Sequence, residues 1–323
     1  MYNARQPEMT MHRREVLGIL GAAIGFPAAA VDRRPLRGIF PIAQTPFTEA
    51  GKLDLDALAA EVRFIDRSGA HGFVWPQIAS EYSTLTEAER LSGSEAILAE
   101  GKGLRPAIVI GVQAPQIETA RRYARQAERL GADAVIALPP PEPHTPDALL
   151  EYYTLIGAST DLPMIAQAVG NMPVEFILRM AREIPTLVCV KDEAGASPLP
   201  RIAPLREKIR VFTGGHGVTL IDEMIRGSSG SMPAAPFADL YAKAWDLWQS
   251  GQRRQSIDFC AKALLFVPEV QVYGVQALKY VLHLRGVFPT YNARVQDAKA
   301  PLDKAAKQTL EEMFEFLKPN LQS

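Results

Sequence analysis

The sequence predicts a single (β/α)8 barrel followed by a C-terminal helical extension. Three observations carry that expectation. From Arg37 onward, short apolar runs of strand length alternate with amphipathic stretches, as parallel β/α units require. The runs are almost continuously apolar, as strands buried on both faces are. Eight such units recur at roughly thirty-residue spacing, which suits a closed barrel better than an open sheet. No Gly-x-Gly-x-x-Gly follows the first run, which argues against a dinucleotide fold.

The units follow one another in order. Gly38 to Thr45 is the first run, with the helical stretch Leu55–Arg67 behind it. Gly72–Trp75 precedes Glu87–Ala99, and Ala107–Val112 precedes Gln116–Leu130. Ala134–Leu138 leads to Ala148–Ile156, and Met164–Val169 to Val174–Ile184. Leu187–Val190 is followed by a weaker helix, Leu199–Glu207. Ile209–Thr213 precedes Val218–Ile225, and Ser228–Met232 precedes Ala238–Gln249. Beyond Gly251 strand signals stop, and Arg254–Phe266, Val270–Leu284 and Pro301–Leu317 read as helices. The barrel is thus expected over 37–250 and the extension over 251–323.

Residues 1–30 read as an address. Arg13-Arg14 precede an apolar run from Val16 to Phe26, and Ala28-Ala29-Ala30 follow Pro27. A charged start, a short apolar middle and a small-residue exit describe a secretory signal. The paired arginines resemble a twin-arginine export signal, with Met11 an alternative start. The expectation is a periplasmic or exported protein, or a cytoplasmic one if the segment is a tail with a chance arginine pair. The run is too short for an ordinary membrane span.

Composition excludes some partners. The 323 residues carry 35 Lys and Arg against 36 Asp and Glu, a formal net charge of −1. No basic excess points to nucleic acid. The only cysteines are Cys189 and Cys260, too few for a disulfide framework, and Cys189 sits in an apolar run that reads as core. The five histidines are scattered without His-x-His or His-Glu-x-x-His, so no metal site is expected. No cofactor motif appears either.

A barrel collects its chemistry at the C-terminal ends of its strands. That rule selects Thr45, Gln77–Glu81, Gln167, Lys191 and Gly214–Gly217. Lys191 ends the run Leu187-Val188-Cys189-Val190. A lysine there points its amine at the barrel mouth beside apolar walls, where desolvation favours the free amine. A free amine attacks a ketone to give an imine, which permits proton loss or carbon–carbon cleavage at the neighbouring carbon. The alternative is a lysine paired with Asp192 or Glu193. Gly214-Gly215-His216-Gly217 reads as a tight turn or a phosphate cradle, and His216 as a mouth or turn residue. Trp75 reads as core or as a stacking wall, and Tyr152-Tyr153 as helix packing.

The residues also resemble a known family. Gly38-Ile39-Phe40-Pro41-Ile42-Ala43-Gln44-Thr45-Pro46-Phe47 is similar to the opening strand of the dihydrodipicolinate synthase and N-acetylneuraminate lyase family. Glu81-Tyr82-Ser83-Thr84-Leu85-Thr86-Glu87-Ala88-Glu89-Arg90 resembles its second-strand loop and helix start, and Val188-Cys189-Val190-Lys191-Asp192 its imine-forming strand. The likeness spans about Arg37 to Pro289. It implies a Schiff-base lysine at Lys191, a small 2-keto acid as substrate, and a homo-oligomer, tetramer or dimer.

Departures from the family narrow the activity. The carboxylate-binding loop, normally Gly-Thr-Thr-Gly-Glu, reads Gln77-Ile78-Ala79-Ser80-Glu81. The usual strand-five tyrosine falls at Gln167, and an amide is no acid or base near neutral pH. No arginine near Asn171-Met172 matches the one that grips a second carboxylate in dihydrodipicolinate synthase. A Ser-Glu loop end, Gln in place of Tyr, and Gly227-Ser228-Ser229-Gly230-Ser231-Met232 resemble the branch that dehydrates 2-keto-3-deoxy sugar acids. The resemblance implies Lys191, Gln167 and Glu81 as catalytic residues, with Ala79, Ser80, Thr45, Gly214 and Met232 holding substrate. No side chain stands out as the general base. Retro-aldol cleavage releasing pyruvate is the alternative within the lyases, and a non-catalytic keto-acid-binding barrel or a purely structural barrel the alternatives outside them.

Overall fold

A computed structural model describes residues 33–141 and 145–322. The export segment expected over residues 1–30 lies outside them. Eight parallel strands form one sheet: β1 (Gly38–Ile39), β2 (Gly72–Trp75), β3 (Ala107–Gly111), β4 (Ala134–Ala137), β5 (Met164–Ala168), β6 (Leu187–Asp192), β7 (Arg210–Thr213) and β8 (Gly230–Ser231). Their order is β1-β8-β7-β6-β5-β4-β3-β2. The ends of that series meet. Val74 N donates to Pro41 O at 3.0 Å and Ala43 N to Val74 O at 2.9 Å, and Ile42 bridges both Val74 and Ala234. The fold is a (β/α)8 barrel.

The helices between strands are α1 (Leu55–Arg67), α2 (Glu87–Glu100), α3 (Ile117–Arg129), α4 (Pro146–Gly157), α5 (Val174–Glu183), α6 (Leu199–Arg206) and α7 (Leu220–Arg226), with α8 (Ala238–Gln249) after β8. Local chemistry sets several starts. Asp54 accepts from Ala57 N at α1, Thr145 accepts from Ala148 N at α4, and Thr86 and Glu89 form a reciprocal capping box at α2. Each satisfies amides that the first helical turn leaves free. Three helices follow the barrel: α9 (Arg253–Leu264), α10 (Val267–Leu284) and α11 (Lys304–Leu317).

The first strand is shorter than the expected Gly38 to Thr45. Pro41 and Pro46 have no N–H to give a ladder, so pairing beyond Ile39 thins to the isolated bridges of Ile42 with Val74 and Ala234. A break also divides α10, where Gly274 takes φ 63° and ψ −153°, a conformation open in practice only to glycine.

Strand alternation sorts the core into layers. Phe40, Val74, Val109, Ile136, Ile165, Cys189, Phe212 and Met232 fill the barrel lumen. Phe73, Trp75, Ala166 and Val190 face outward to the helices. Trp75 is therefore core. It is fully buried against α2, where a Cβ on Gly93 would stand 2.5 Å from its ring. A third apolar layer joins α8–α11 to Ile39 and α7. Tyr152 and Tyr153 pack in α4 with their hydroxyls on the Ala114 and Ala137 carbonyls. Cys189 and Cys260 are both buried and free.

Candidate active site

The same alternation builds the site. Cys189 faces the lumen, so Lys191 and Glu193 follow it inward, while Asp192 points out to Arg201 at 2.7 Å. On the neighbouring strand Gln167 pairs in register with Lys191. At the C-terminal end of the lumen these residues line a cavity of about 180 Å³, together with Gln77, Ala79, His216 and Met232. A larger depression lined by Leu187, Lys208, Arg210 and Ser229 lies at the opposite end, where barrels keep stability rather than chemistry.

The Lys191 amine is not unpaired. Its Nζ lies 2.9 Å from Glu193 Oε2, and both side chains remain on the cavity wall. Glu193 also accepts from Gln167 Nε2 at 2.6 Å and from Gly215 N at 3.2 Å. Burial alone would raise its carboxyl pKa. The Lys191 charge and hydrogen bond, with those from Gly215 and Gln167, outweigh that and hold it below its ordinary value. Glu193 is thus a carboxylate, and it fixes the Gln167 amide with nitrogen toward itself. Gln167 Oε1 is left buried without a protein partner. His216 also lines the cavity, and burial followed by the Lys191 charge pushes its pKa down.

Four of the expected residues, Gly214, Thr45, Ser80 and Glu81, do not line the cavity. Gly214 does not line the cavity, and its role is to make room, since a Cβ there would stand 1.8 Å from Glu193 Oε1. Thr45 Oγ1 donates to Ser80 O at 2.5 Å and accepts from Trp75 Nε1 at 2.9 Å. Ser80 Oγ donates to Ala43 O at 2.5 Å and accepts from Gln77 N at 3.0 Å, while Ser80 N goes to Gln77 O. Both hydroxyls are consumed in bracing the second-strand loop. Glu81 is fully buried in an ion pair with Lys279 and accepts from Arg294 N at 2.6 Å and Val295 N at 2.7 Å. It anchors the C-terminal extension and does not line the cavity. The loop amides free among the described residues are those of Ile78 and Ala79.

Sequence reasoning passed over Glu193 as a functional residue. The period-two pattern held the signal, because a residue two beyond an inward lysine is itself inward. It also passed over Gln113, and it named Gln77 only within the strand-end group Gln77–Glu81, because the significance of the pair depends on a contact between two loops. Among the described residues no group of three His, Cys, Asp or Glu is placed to hold a metal ion.

Comparison with known proteins decides the family. The dihydrodipicolinate synthetase family model matches residues 35–318. The chain belongs to the dihydrodipicolinate synthetase family. A member named L-2-keto-3-deoxyarabonate dehydratase, from Azospirillum brasilense, is 31% identical over 233 residues, 67% of this chain and 74% of that one. An Escherichia coli protein named "Probable 2-dehydro-3-deoxy-D-pentonate aldolase" is 26% identical over 77% of this chain and 87% of its own. The crystal structure of dihydrodipicolinate synthase from Rhodopseudomonas palustris superposes with a TM-score of 0.78 at 25% identity, covering 86% of this chain and 97% of that one. Members of this family are lyases, and this family member is a lyase.

Proposed function

We propose that this lyase forms an imine between Lys191 and C2 of a small 2-keto acid and dehydrates a 2-keto-3-deoxy sugar acid. The observation that carries the reading is the Lys191–Glu193 contact of 2.9 Å on the wall of the cavity at the C-terminal end of the lumen. A carboxylate so placed supplies the general base that the strand-five position lacks. It takes the ammonium proton from Lys191, leaving an amine that attacks the ketone, and returns that proton to the carbinolamine hydroxyl, which departs as water and leaves Glu193 a carboxylate again. With the imine protonated, Glu193 takes the C3 proton to give an enamine. The enamine electrons expel the C4 hydroxyl, and the proton held by Glu193 leaves with it as water. Water then returns the dehydrated keto acid and the free lysine.

The neighbours fit those steps. The Ile78 and Ala79 amides suit the substrate carboxylate, as a pair of backbone donors does. Gln167 accepts from a substrate hydroxyl with the oxygen that Glu193 leaves free, and orients it. Met232 and Ile42 give the apolar floor. The similarity to L-2-keto-3-deoxyarabonate dehydratase supports dehydration. The same lysine and carboxylate also serve retro-aldol cleavage, if Glu193 takes the C4 hydroxyl proton instead, and the similarity to the pentonate aldolase supports that second reading.

The test is product analysis with C5 and C6 2-keto-3-deoxy acids. A dehydrated keto acid of unchanged carbon count is the expected product. Pyruvate plus an aldehyde decides for cleavage, and binding without turnover decides for a non-catalytic barrel. We further propose that the Arg13-Arg14 segment exports the protein and that it assembles as a homo-oligomer. Both are read from fractionation of the expressed full chain, with and without Arg13-Arg14→Lys-Lys, and from light scattering.

A further inference from the structure

Gln77 shares the cavity lining with Lys191 and Gln167, yet the steps above give it nothing to do. Its orientation is fixed by a chain of amide contacts. Pro76 O can only accept, so the Gln113 amide that meets it at 2.8 Å presents Nε2. Gln113 Oε1 therefore faces Gln77 and accepts from Gln77 Nε2 at 3.0 Å. Gln77 Oε1 is left with no protein partner, on a side chain 1% exposed.

The support behind that oxygen is extensive. Arg90, itself buried, donates to Gln113 O at 3.0 Å and to Gly111 O at 2.6 Å, fixing the main chain that carries Gln113. A Cβ on Gly111 would stand 2.0 Å from Pro76 O and 2.8 Å from Gln77 Nε2, so glycine is required for the close approach. A buried acceptor without a donor is destabilising, and native folds rarely keep one without a use.

Gln167 repeats the arrangement, since Glu193 holds its nitrogen and its oxygen is orphaned. Gln77 and Gln167 thus both line the cavity with an amide oxygen left unpartnered and a nitrogen already engaged. It lacks hydrogens that a ligand would have to bring. A carboxylate brings none, and C2 is claimed by the lysine. The complement of Gln77 Oε1 is an alcohol on the far carbons.

We propose that Gln77 is a specificity-determining residue that accepts a hydrogen bond from a hydroxyl beyond C3 of the keto acid, with Gln113 and Arg90 as its positioning residues. The inference rests on the imine-forming lyase reading and extends it to a polyhydroxylated substrate.

The test compares borohydride trapping of wild type, Gln77→Met and Gln113→Met with two probes, pyruvate and a C5 2-keto-3-deoxy acid. Gln77→Met keeps the length and removes the acceptor. The expected result is a half-saturating concentration about tenfold higher for the hydroxylated acid, with pyruvate within about twofold of wild type. Gln113→Met, which frees Gln77 to rotate, shifts the hydroxylated acid in the same direction by less. If Gln77→Met does not fold by circular dichroism, the Gln113→Met comparison decides alone. Wild type that traps both probes while the variants change neither, or change both equally, overturns the role of Gln77 and leaves the lyase reading standing. Wild type that traps neither overturns the lyase reading and this inference with it.

Discussion

Glu193 takes hydrogen bonds from a lysine, an amide side chain and a main-chain N–H, and that set of donors keeps it ionised. Replacing it by Gln preserves the shape and removes the base. Turnover of Glu193→Gln should fall about 10²- to 10⁴-fold, while borohydride still traps some imine. The variant's single-turnover rate checks this, and an unchanged rate rejects Glu193 as base. The pH profile follows from the sign of its shift. The carboxyl lies below the ordinary 4.5, so the base is competent above that value and lost as pH falls through its depressed pKa. The acid limb of kcat should therefore sit below about pH 4.5, and a limb centred near neutrality contradicts the assignment. Lys191, Gln167, Ala79 and Met232, all named from sequence, line one cavity. Glu81, Ser80 and Thr45 were named from strand-end position and resemblance, but what a polar side chain bonds to depends largely on distant neighbours such as Ala43, Trp75 and Lys279, and those neighbours use them up.

At the scale of elements, the segment after α10 is bound across the catalytic end of the barrel. Thr290 Oγ1 donates to Phe47 O at 2.5 Å and Asn292 Nδ2 to Thr48 O at 3.2 Å. Arg294 holds Glu89 through two nitrogens at 2.6 and 3.0 Å, and Glu81 meets Lys279 beneath it. That buried pair makes the extension part of the loop that carries the Ile78 and Ala79 amides. Lys279→Met strands the Glu81 charge and should cost about 3–5 kcal/mol in a urea melt. The double variant with Glu81→Leu should recover most of that loss, and equal losses in the two variants reject the pair as the cause. Glu89 adds a pH-dependent contribution. Its carboxyl pKa is drawn down to about 2, chiefly by the Arg294 hydrogen bond, from the ordinary 4.5. Its contribution is present above that ordinary value and is lost as pH falls toward 2. In Arg294→Ala the stability slope between those two values should flatten, as acid titration by circular dichroism would show.

Across the whole molecule, repetition made the fold legible. Eight apolar runs of Val, Ile, Leu and Ala alternating with helical periodicity leave a parallel barrel as the compact solution, and β1 departs from its expected length where proline interrupts the ladder. The three helices after the barrel were legible from periodicity, but their attachment was not. It depends on a lysine in α10 meeting a glutamate nearly two hundred residues earlier, and no local pattern encodes that pairing. The architecture brings its chemistry to one end of one lumen, and everything attributed to that end depends on a single nucleophilic nitrogen. The most direct measurement is peptide mapping by mass spectrometry after borohydride reduction in the presence of a 2-keto acid. Wild type should carry one reduced adduct, on the peptide containing Lys191, and Lys191→Ala none. An adduct on another lysine, or labelling that survives Lys191→Ala, would contradict the account.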